Sequence, residues 1–292
     1  MQRLKNLSHV LYHIIIVVLS AAVALSLPFT ARFAAKKFLG YWALIENEKM
    51  FLISIEIGTA VLLILLFNFI VKNLRNRRLS SMAKEAGLYA LGRESGILDR
   101  SRIRKLKERN GVSRNVMIIG STGFRTFVEP SGDLHLVIQK CRGAKIMLLD
   151  PLGEGAGSRA KSMQSQDITV HSFREQIVKS IEFLKDLKEV QKDIRLKLYP
   201  DIPLFKLAIL GDFVFMRHYH HGIDVRRLPE YIFRNQRNPG CLYNPFYQYF
   251  LDRWHDPDLP EYELETDELI FRDRTGNEVK REKAAFFETS RP

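Results

Sequence analysis

Two long apolar stretches near the start of the chain limit what it can fold into. The first runs from Val10 to Phe29 without a formal charge, and the second runs from Phe51 to Val71, interrupted only by Glu56 and Asn68. In a helix, about 20 apolar residues cover the ~30 Å hydrocarbon core of a bilayer. The pattern therefore predicts two transmembrane helices.

Two other readings of the first stretch are a cleaved signal peptide and a buried core helix. The string Ala22-Val23-Ala24 is similar to a signal-peptide cleavage site. However, the stretch is longer than the usual apolar part of a signal peptide, and a second stretch of equal length follows after a short loop. These two features favour two spans.

Basic residues around the spans indicate the topology, because Lys and Arg stay on the cytoplasmic side of a membrane. Arg3 and Lys5 precede the first span. The loop between the spans is also basic, so the cluster after the second span decides; its members are Lys72, Arg75, Arg77, Arg78 and Lys84. We expect a multi-pass protein of the inner (plasma) membrane with both termini in the cytoplasm.

The net charge of +12 is explained in part by these basic residues, which would meet anionic lipid headgroups. The lipid bilayer is therefore an expected partner, and nucleic acid is not. Cys141 and Cys241 are the only cysteines and follow the spans, where a reducing cytoplasm would keep them as free, mostly buried thiols.

The rest of the chain predicts an α/β domain. Residues 116–119 and 144–149 resemble buried strands on either side of a helix at 133–141, the order of a βαβ unit. A Gly- and Ser-rich loop (153–167), an amphipathic helix (172–192), a hairpin (205–210 with 213–219) and an aromatic helix (243–255) follow. The predicted divisions are a two-helix transmembrane module (1–71), a basic juxtamembrane connector (72–114), the α/β domain (115–255) and a charged tail (256–292).

A family resemblance rests on the strings VMIIGSTG, KIMLLDP and IRLKLYPDIPLFKLAILGDFVFMRHYH, which cover roughly residues 115 to 235. They resemble one repeat of the phospholipase D superfamily, whose motif is HxKxxxxD. The resemblance implies a mixed-sheet α/β fold. It also implies a His that attacks phosphorus, a Lys that holds the phosphate oxygens and an Asp in the same constellation.

The chain departs from that motif at the nucleophile. Lys206 is kept and Asp212 comes one residue late, but Leu204 stands where the His belongs. Leucine cannot form the covalent phospho-enzyme, so we expect a non-catalytic domain, a pseudoenzyme. One repeat is present, so a complete site would need a second copy, which predicts a homo-oligomer, a dimer or higher.

The candidate ligand-binding residues are Lys206, Asp212, Arg217, Ser121 and Thr122. Lys and Arg bind phosphate oxygens, and the Gly120 to Gly123 turn offers backbone N–H groups. His218 and His220 are weaker candidates for a displaced nucleophile. No cofactor and no metal site are predicted, because no known cofactor motif or ligand spacing is present.

The sequence thus predicts a membrane-anchored domain that binds a phosphate-bearing ligand, a lipid headgroup or a partner and couples it to the membrane, as an effector or sensor of a bacterial membrane would. A membrane-tethered phosphodiesterase and a structural assembly subunit are the alternatives. Glu56 lies inside the second span, where a carboxylate is costly, and would pair helices, line a pore or reach the outer interface.

Overall fold

The computed structural model describes residues 18, 25–26, 28–29, 32–38, 40, 48–92, 97–163, 168–190, 192–273 and 275–286. The chain divides into two compact units, residues 1–76 and residues 77–292. The second unit has a mixed α/β fold, as the sequence predicts.

One long apolar helix, α1, spans Glu48–Glu85. From Ile53 to Glu85 it has the length and composition of a membrane-spanning helix, with a mean hydropathy of 2.2 and none of its apolar window buried, and it is the one such helix among the described residues. The second predicted span lies within α1. Most of the first, Val10 to Phe29, lies outside the described residues, so that span stays a prediction.

The second unit contains one mixed sheet. Its strands are β1 (Leu88–Gly92), β2 (Asn115–Ile119), β3 (Gly143–Leu149), β4 (Asp193–Tyr199), β5 (Phe205–Leu210), β6 (Phe213–His218), β7 (Glu230–Arg234), β8 (Glu261–Glu263), β9 (Glu268–Arg272) and β10 (Glu278–Lys283). They lie in the order β1-β7-β6-β5-β2-β3-β4-β8-β9-β10. The helices that pack with it are α2 (Ile97–Gly111), α3 (His135–Lys140), α4 (Glu154–Ser162), α5 (Val170–Glu189) and α6 (Tyr243–Trp254). Two short turns complete it, a π-helical turn (Phe124–Val128) and a 3-10 turn (Val225–Arg227).

The centre of the sheet is parallel. β2 pairs with β3 and β3 with β4, all in parallel, because α3 and then α4 and α5 return the chain to the same edge. These strands are runs of apolar residues, and Ile118, Ile146 and Leu148 are fully buried, which is typical of strands covered on both faces. The predicted βαβ unit is confirmed.

The sheet changes from parallel to antiparallel between β2 and β5. β5 and β6 form the predicted hairpin, closed by Gly211 in the left-handed region at φ 56°, a conformation that glycine adopts at little cost. Its register places Lys206 opposite Arg217 and Phe205 opposite His218. The chain crosses the sheet from β2 to β4 in one direction and then returns to place β5 on the other side of β2. Ligand crevices of α/β proteins form where the strand order reverses in this way, beyond the carboxyl ends of the parallel strands.

The domain boundaries differ from the predicted ones at both ends. β1 and α2 lie in the predicted connector, yet β1 pairs with β7 and Lys107 of α2 is buried. The predicted tail adds β8, β9 and β10 to the sheet. Within this charged segment the sequence indicates a short strand at 268–272, where β9 lies, whereas β8, with Tyr262 as its single buried residue, and β10, with none, carry too weak an apolar pattern to be recognised.

The predicted loop at 153–167 is also corrected, because residues 154–162 form α4. Its small residues serve close packing. A Cβ on Gly155 would lie 2.4 Å from the carbonyl oxygens of Pro200 and Asp201, and Ala156 and Ala160 are buried. Glycine and alanine therefore let this helix approach the neighbouring backbone.

Helices α5 and α6 agree with their predicted positions. α5 begins at a capping box in which Thr169 and Ser172 bond each other's backbone N–H groups. Aromatic side chains of α6 cover the sheet, and Phe246 and Tyr249 both meet the Phe205 ring edge-on at 5.8 Å. Cys141 and Cys241 are free and buried, as expected.

The connection between α1 and β1 is short. Only Ala86 and Gly87 separate them, and Gly87 has a φ of 71°; a Cβ at Gly87 would lie 2.5 Å from Cys241 Sγ and 2.9 Å from the Arg234 carbonyl oxygen. The backbone N–H of Leu242 donates to the carbonyl of Ala86, and that of Arg234 donates to the carbonyl of Gly87. The end of α1 is thereby fixed to the segment that follows β7.

Candidate anion-binding cavity

A cavity of about 580 Å³ lies at the carboxyl ends of β2 and β6, where β5 and β7 begin. Residues of α2, α4 and α5 and of the π-helical turn complete its walls. Among the described residues its lining has an excess of positive charge, since eight of their side chains are basic and four are acidic. The basic ones are Arg100, Arg104, Lys107, Arg125, Arg159, Lys206, Arg217 and Arg226, and the acidic ones are Glu129, Asp133, Asp224 and Glu230.

Lys107 is the most buried of these cations, with 2% of its side chain exposed. Its Nζ donates to Glu230 Oε1 at 2.7 Å and to Asp133 Oδ2, and it lies 5.1 Å from the centre of the Phe215 ring. Burial acts to lower the pKa of Lys107, but the two carboxylates outweigh burial and the pKa lies above its usual value. Lys107 is therefore a compensated charge that holds α2 on the sheet.

Lys206 is in a different state although it lies only a few ångströms away. Its side chain is 12% exposed, and within the described residues its one ion pair is with Asp133, at a long 3.7 Å. Burial lowers the pKa of Lys206; Asp133 opposes that effect, while Lys107 and Arg217 add to it. Lys206 is a poorly compensated cation that faces the cavity.

Arg217 and Glu230 form the far side of this group. Arg217 Nε lies 3.4 Å from Glu230 Oε1, and its Nη1 donates to the Arg226 carbonyl at 3.2 Å. Arg217 Nε and Glu230 Oε2 are both buried without a hydrogen-bond partner. Lys107, Lys206 and Arg217 thus share two carboxylates, Asp133 and Glu230, which leaves one positive charge uncompensated among these described residues.

Burial tends to raise the pKa of Asp133, but Lys107 and Lys206 hold it well below its usual value, so Asp133 stays ionised.

The turn after β2 contacts this group through Tyr219. The Ser121 N–H donates to the Tyr219 hydroxyl at 3.0 Å, so that N–H is already occupied. Thr122 is buried and lines the cavity, and Gly123 has the left-handed φ of 75° that begins the π-helical turn. Burial, above all, raises the pKa of Tyr219 and keeps it neutral.

A second group of cations surrounds Asp224. Arg125 Nη1 lies 3.1 Å from Asp224 Oδ2, and Arg226 Nη2 lies 2.8 Å from it. Burial would raise the pKa of Asp224, but hydrogen bonds and charge from Arg226, together with Arg125, lower it to about 2. Arg159 is stacked on the Tyr219 ring at 4.8 Å and donates to the carbonyl of His220 at 2.9 Å.

Four of the residues predicted from the sequence meet in this cavity: Lys206, Arg217, Ser121 and Thr122. Asp212 does not, because it is exposed in the β5–β6 turn, six residues from Lys206 and so about 20 Å along the strand. Its role as a ligand-binding residue therefore lacks support from geometry. Glu56 lies on α1.

Neither candidate histidine is among the described residues that line the cavity. Successive side chains of a strand point to opposite faces, so His218 points away from Arg217, and its ring meets Phe205 at 5.7 Å. His220 is exposed, and its Nδ1 lies 2.7 Å from the His221 carbonyl oxygen. Leu204, at the position where the family resemblance implies a His, is 56% exposed and lines a separate cavity of about 240 Å³.

Sequence reasoning missed Lys107, Asp133, Glu230 and Arg159. A signal existed for the first: Ile103, Lys107 and Asn110 recur at helical spacing on the face that α2 buries. The Gly-rich composition of α4 predicts a loop, so the sequence gives no sign that Arg159 is a buried helical residue. Among the described residues, no group of three or more His, Cys, Asp or Glu side chains could hold a metal ion.

The chain matches no protein-family model and no curated protein. Among solved structures it is similar to one described as TrmBL2, an archaeal chromatin protein with a novel mode of DNA binding, at a TM-score of 0.33 and 14% identity. That match covers 63% of this chain and 60% of the other. A likeness this distant carries no argument about function.

Proposed function

We propose that this chain is a membrane-anchored, non-catalytic protein whose α/β domain, similar to that of the phospholipase D superfamily, binds a phosphate-bearing ligand in the cavity at Lys206. The ligand is either a small soluble phosphate ester or the headgroup of a lipid, since both present the same oxygens to the protein. Binding would be coupled to the membrane through two transmembrane helices.

The state of Lys206 carries the proposal. Burying a cation costs free energy unless an anion compensates it, and Asp133 at 3.7 Å compensates Lys206 poorly. Lys107 and Arg217 raise that cost by repulsion. An incoming phosphate would accept charge-assisted hydrogen bonds from Lys206 and neutralise the excess positive charge. A residue kept in an unfavourable state at the mouth of a cavity is typical of a binding site.

The positions of the histidines favour binding over hydrolysis. Hydrolysis with a displaced nucleophile would require His218 or His220 close to Lys206. His218 is on the opposite face of the sheet and His220 does not line the cavity. The proposal therefore contains no covalent step.

Binding is tested by isothermal titration calorimetry on the full chain in lipid nanodiscs, with glycerol 3-phosphate and short-chain phosphatidic acid as separate probes. We expect Lys206→Met to weaken binding at least about tenfold, because a hydrogen bond to a charged group contributes about 1.5–3 kcal/mol. Lys145→Met is the matched control: Lys145 is a half-buried lysine of β3 that lies against Trp254 outside the cavity. Equal affinities for the two variants would contradict the proposal, and the preferred probe identifies the source of the phosphate.

Hydrolysis is tested on the same preparations with a chromogenic phosphodiester and with phosphatidylcholine. We expect no turnover above the buffer. Turnover that disappears in a His218→Ala/His220→Ala variant would replace the binding proposal with the enzymatic one.

The membrane and assembly parts of the proposal need their own measurements. Sodium carbonate extraction should leave the full chain in the membrane pellet, and release of the full chain would contradict the anchor. Light scattering of the detergent-solubilised chain should give a mass of at least two copies, because one repeat is present per chain.

A further inference from the structure

The charges of the cavity fall into two separate groups. We define the Lys206 cluster as Lys107, Lys206, Arg217, Asp133 and Glu230, and the Arg159 cluster as Arg125, Arg159, Arg226 and Asp224. The first has three cations and two carboxylates, and the second has three cations and one carboxylate. Each cluster thus has a positive excess of its own.

Arg159 is the cation that the second cluster leaves without a carboxylate. Its residue is 3% exposed, and its guanidinium donates to the backbone carbonyl of His220 and to the Ser162 hydroxyl. Within the described residues no carboxylate oxygen lies within 4.0 Å of it, whereas Asp224 pairs with Arg125 and Arg226. Its Nε is buried without a hydrogen-bond partner. A buried guanidinium in this state lacks the anion that its planar group of donors would bind best.

Tyr219 interacts with residues of both clusters. Its ring lies under Arg159 at 4.8 Å, and its hydroxyl accepts from the N–H of Ser121, which lines the same cavity as Lys206. Both Arg159 and Arg217 act electrostatically on the Tyr219 hydroxyl. Among the described residues no ion pair joins the two clusters, so they form two positions within one cavity.

The remaining walls leave room for an organic group. Ile103, Met163, Ile168 and Phe173 line the same cavity. A volume of about 580 Å³ is within the range of pockets that enclose a whole small molecule, and far exceeds what one phosphate ion needs.

From these observations we infer that the cavity binds an organic ligand of nucleotide size that carries two or more phosphate groups, one at the Lys206 cluster and one at Arg159. This inference rests on the proposed function for the first position and extends it by the second. Phosphate at Lys206 fixes the ligand, and Arg159 distinguishes a diphosphate from a monophosphate.

The test compares inorganic phosphate, tripolyphosphate, AMP and ADP by calorimetry on the full chain in nanodiscs. For the unmodified chain we expect tripolyphosphate to bind at least about tenfold more tightly than phosphate, and ADP at least about tenfold more tightly than AMP, the ratio that corresponds to 1.4 kcal/mol. Arg159→Gln should reduce both ratios to nearly one and leave the affinity for phosphate within about twofold. Lys206→Met should weaken all four probes.

Two variants separate charge from folding. Arg159→Lys keeps the cation and should retain most of the preference for two phosphates. Arg174→Gln is the matched control, because Arg174 also has a buried Nε without a hydrogen-bond partner but does not line the cavity. It should leave both ratios unchanged.

Each failure has its own meaning. If phosphate binds in a Lys206-dependent manner but neither ratio exceeds about threefold, the second position is refuted and the proposed function stands. The same holds if Arg159→Gln weakens phosphate and tripolyphosphate by one common factor. If none of the four probes binds the unmodified chain, the inference fails, and the phosphate site at Lys206 is then decided by the titrations with glycerol 3-phosphate and phosphatidic acid.

Discussion

Replacing Lys107 by methionine tests whether Lys107 stabilises the fold by compensating the buried carboxylate of Glu230. The substitution removes a side chain that is 2% exposed and leaves Glu230, 3% exposed, with Arg217 Nε at 3.4 Å as its nearest cation. One oxygen of Glu230 already lacks a partner. Removing one member of a buried pair costs about 3–5 kcal/mol, because the other charge stays buried.

Asp133 should add less to that cost. Its side chain is 29% exposed and it keeps Lys206 at 3.7 Å, so water and Lys206 can compensate it. For a unit of this size, 1 kcal/mol corresponds to about 2–4 °C in the unfolding midpoint. We therefore expect the midpoint of Lys107→Met to fall by roughly 6–20 °C.

The assay is thermal unfolding of the full chain in detergent, followed by near-ultraviolet circular dichroism. Lys107→Met/Glu230→Gln should recover part of the loss, because the buried charge of Glu230 is removed, while Arg217, 19% exposed, loses that ion pair but keeps its hydrogen bonds to the Val225 and Arg226 carbonyls. Lys105→Met, an exposed lysine of the same helix, should stay within about 2 °C of the unmodified chain. A small loss in Lys107→Met, or a double variant no more stable than the single one, would refute the reasoning.

Three further predictions concern the same unit. Lys206→Met should leave the unfolding midpoint unchanged or raise it while phosphate binding is lost, because the lowered pKa of Lys206 means that its charge destabilises the folded state; a drop of more than about 5 °C would count against this. Phosphate affinity measured by calorimetry should decrease as pH rises toward the lowered pKa of Lys206, below the usual lysine value of 10.5, since only charged Lys206 binds the anion. An affinity that does not change up to pH 10 would contradict this prediction. The depressed pKa of Asp133 stabilises the fold above the usual value of 3.8, and this contribution should be lost as pH falls below it, so Asp133→Asn should flatten the acid limb of a stability-against-pH curve.

Much of the central fold could be predicted from local pattern. The apolar runs of β2 and β3, the amphipathic α5 and the alternating hairpin are strong periodic signals, and each element lies within a few residues of its predicted position. The edges could not be predicted. β1, β8 and β10 are short, and every residue of β10 is exposed, so hydrogen bonding to a neighbouring strand defines them and their composition does not.

The residues of the candidate cavity could be predicted only where the sequence resembles a family motif. Lys206 and Arg217 were found because they lie in one recognisable hairpin. Lys107 and Glu230 are 123 residues apart in sequence and meet only through the pairing of β7 with its neighbours. Arg159 reaches the cavity because α4 is a helix, and its glycines suggested a loop. Long-range pairings of charge leave no local pattern.

The short connection after α1 has a mechanical consequence. Two residues, even fully extended, span at most about 7 Å, so Ala86 and Gly87 leave no slack between the end of α1 and β1. β1 is paired with β7, whose first residue is Glu230 of the cavity wall. Since Gly92 at the far end of β1 pairs with Glu230, only the five residues of β1 separate the cavity wall from this connection.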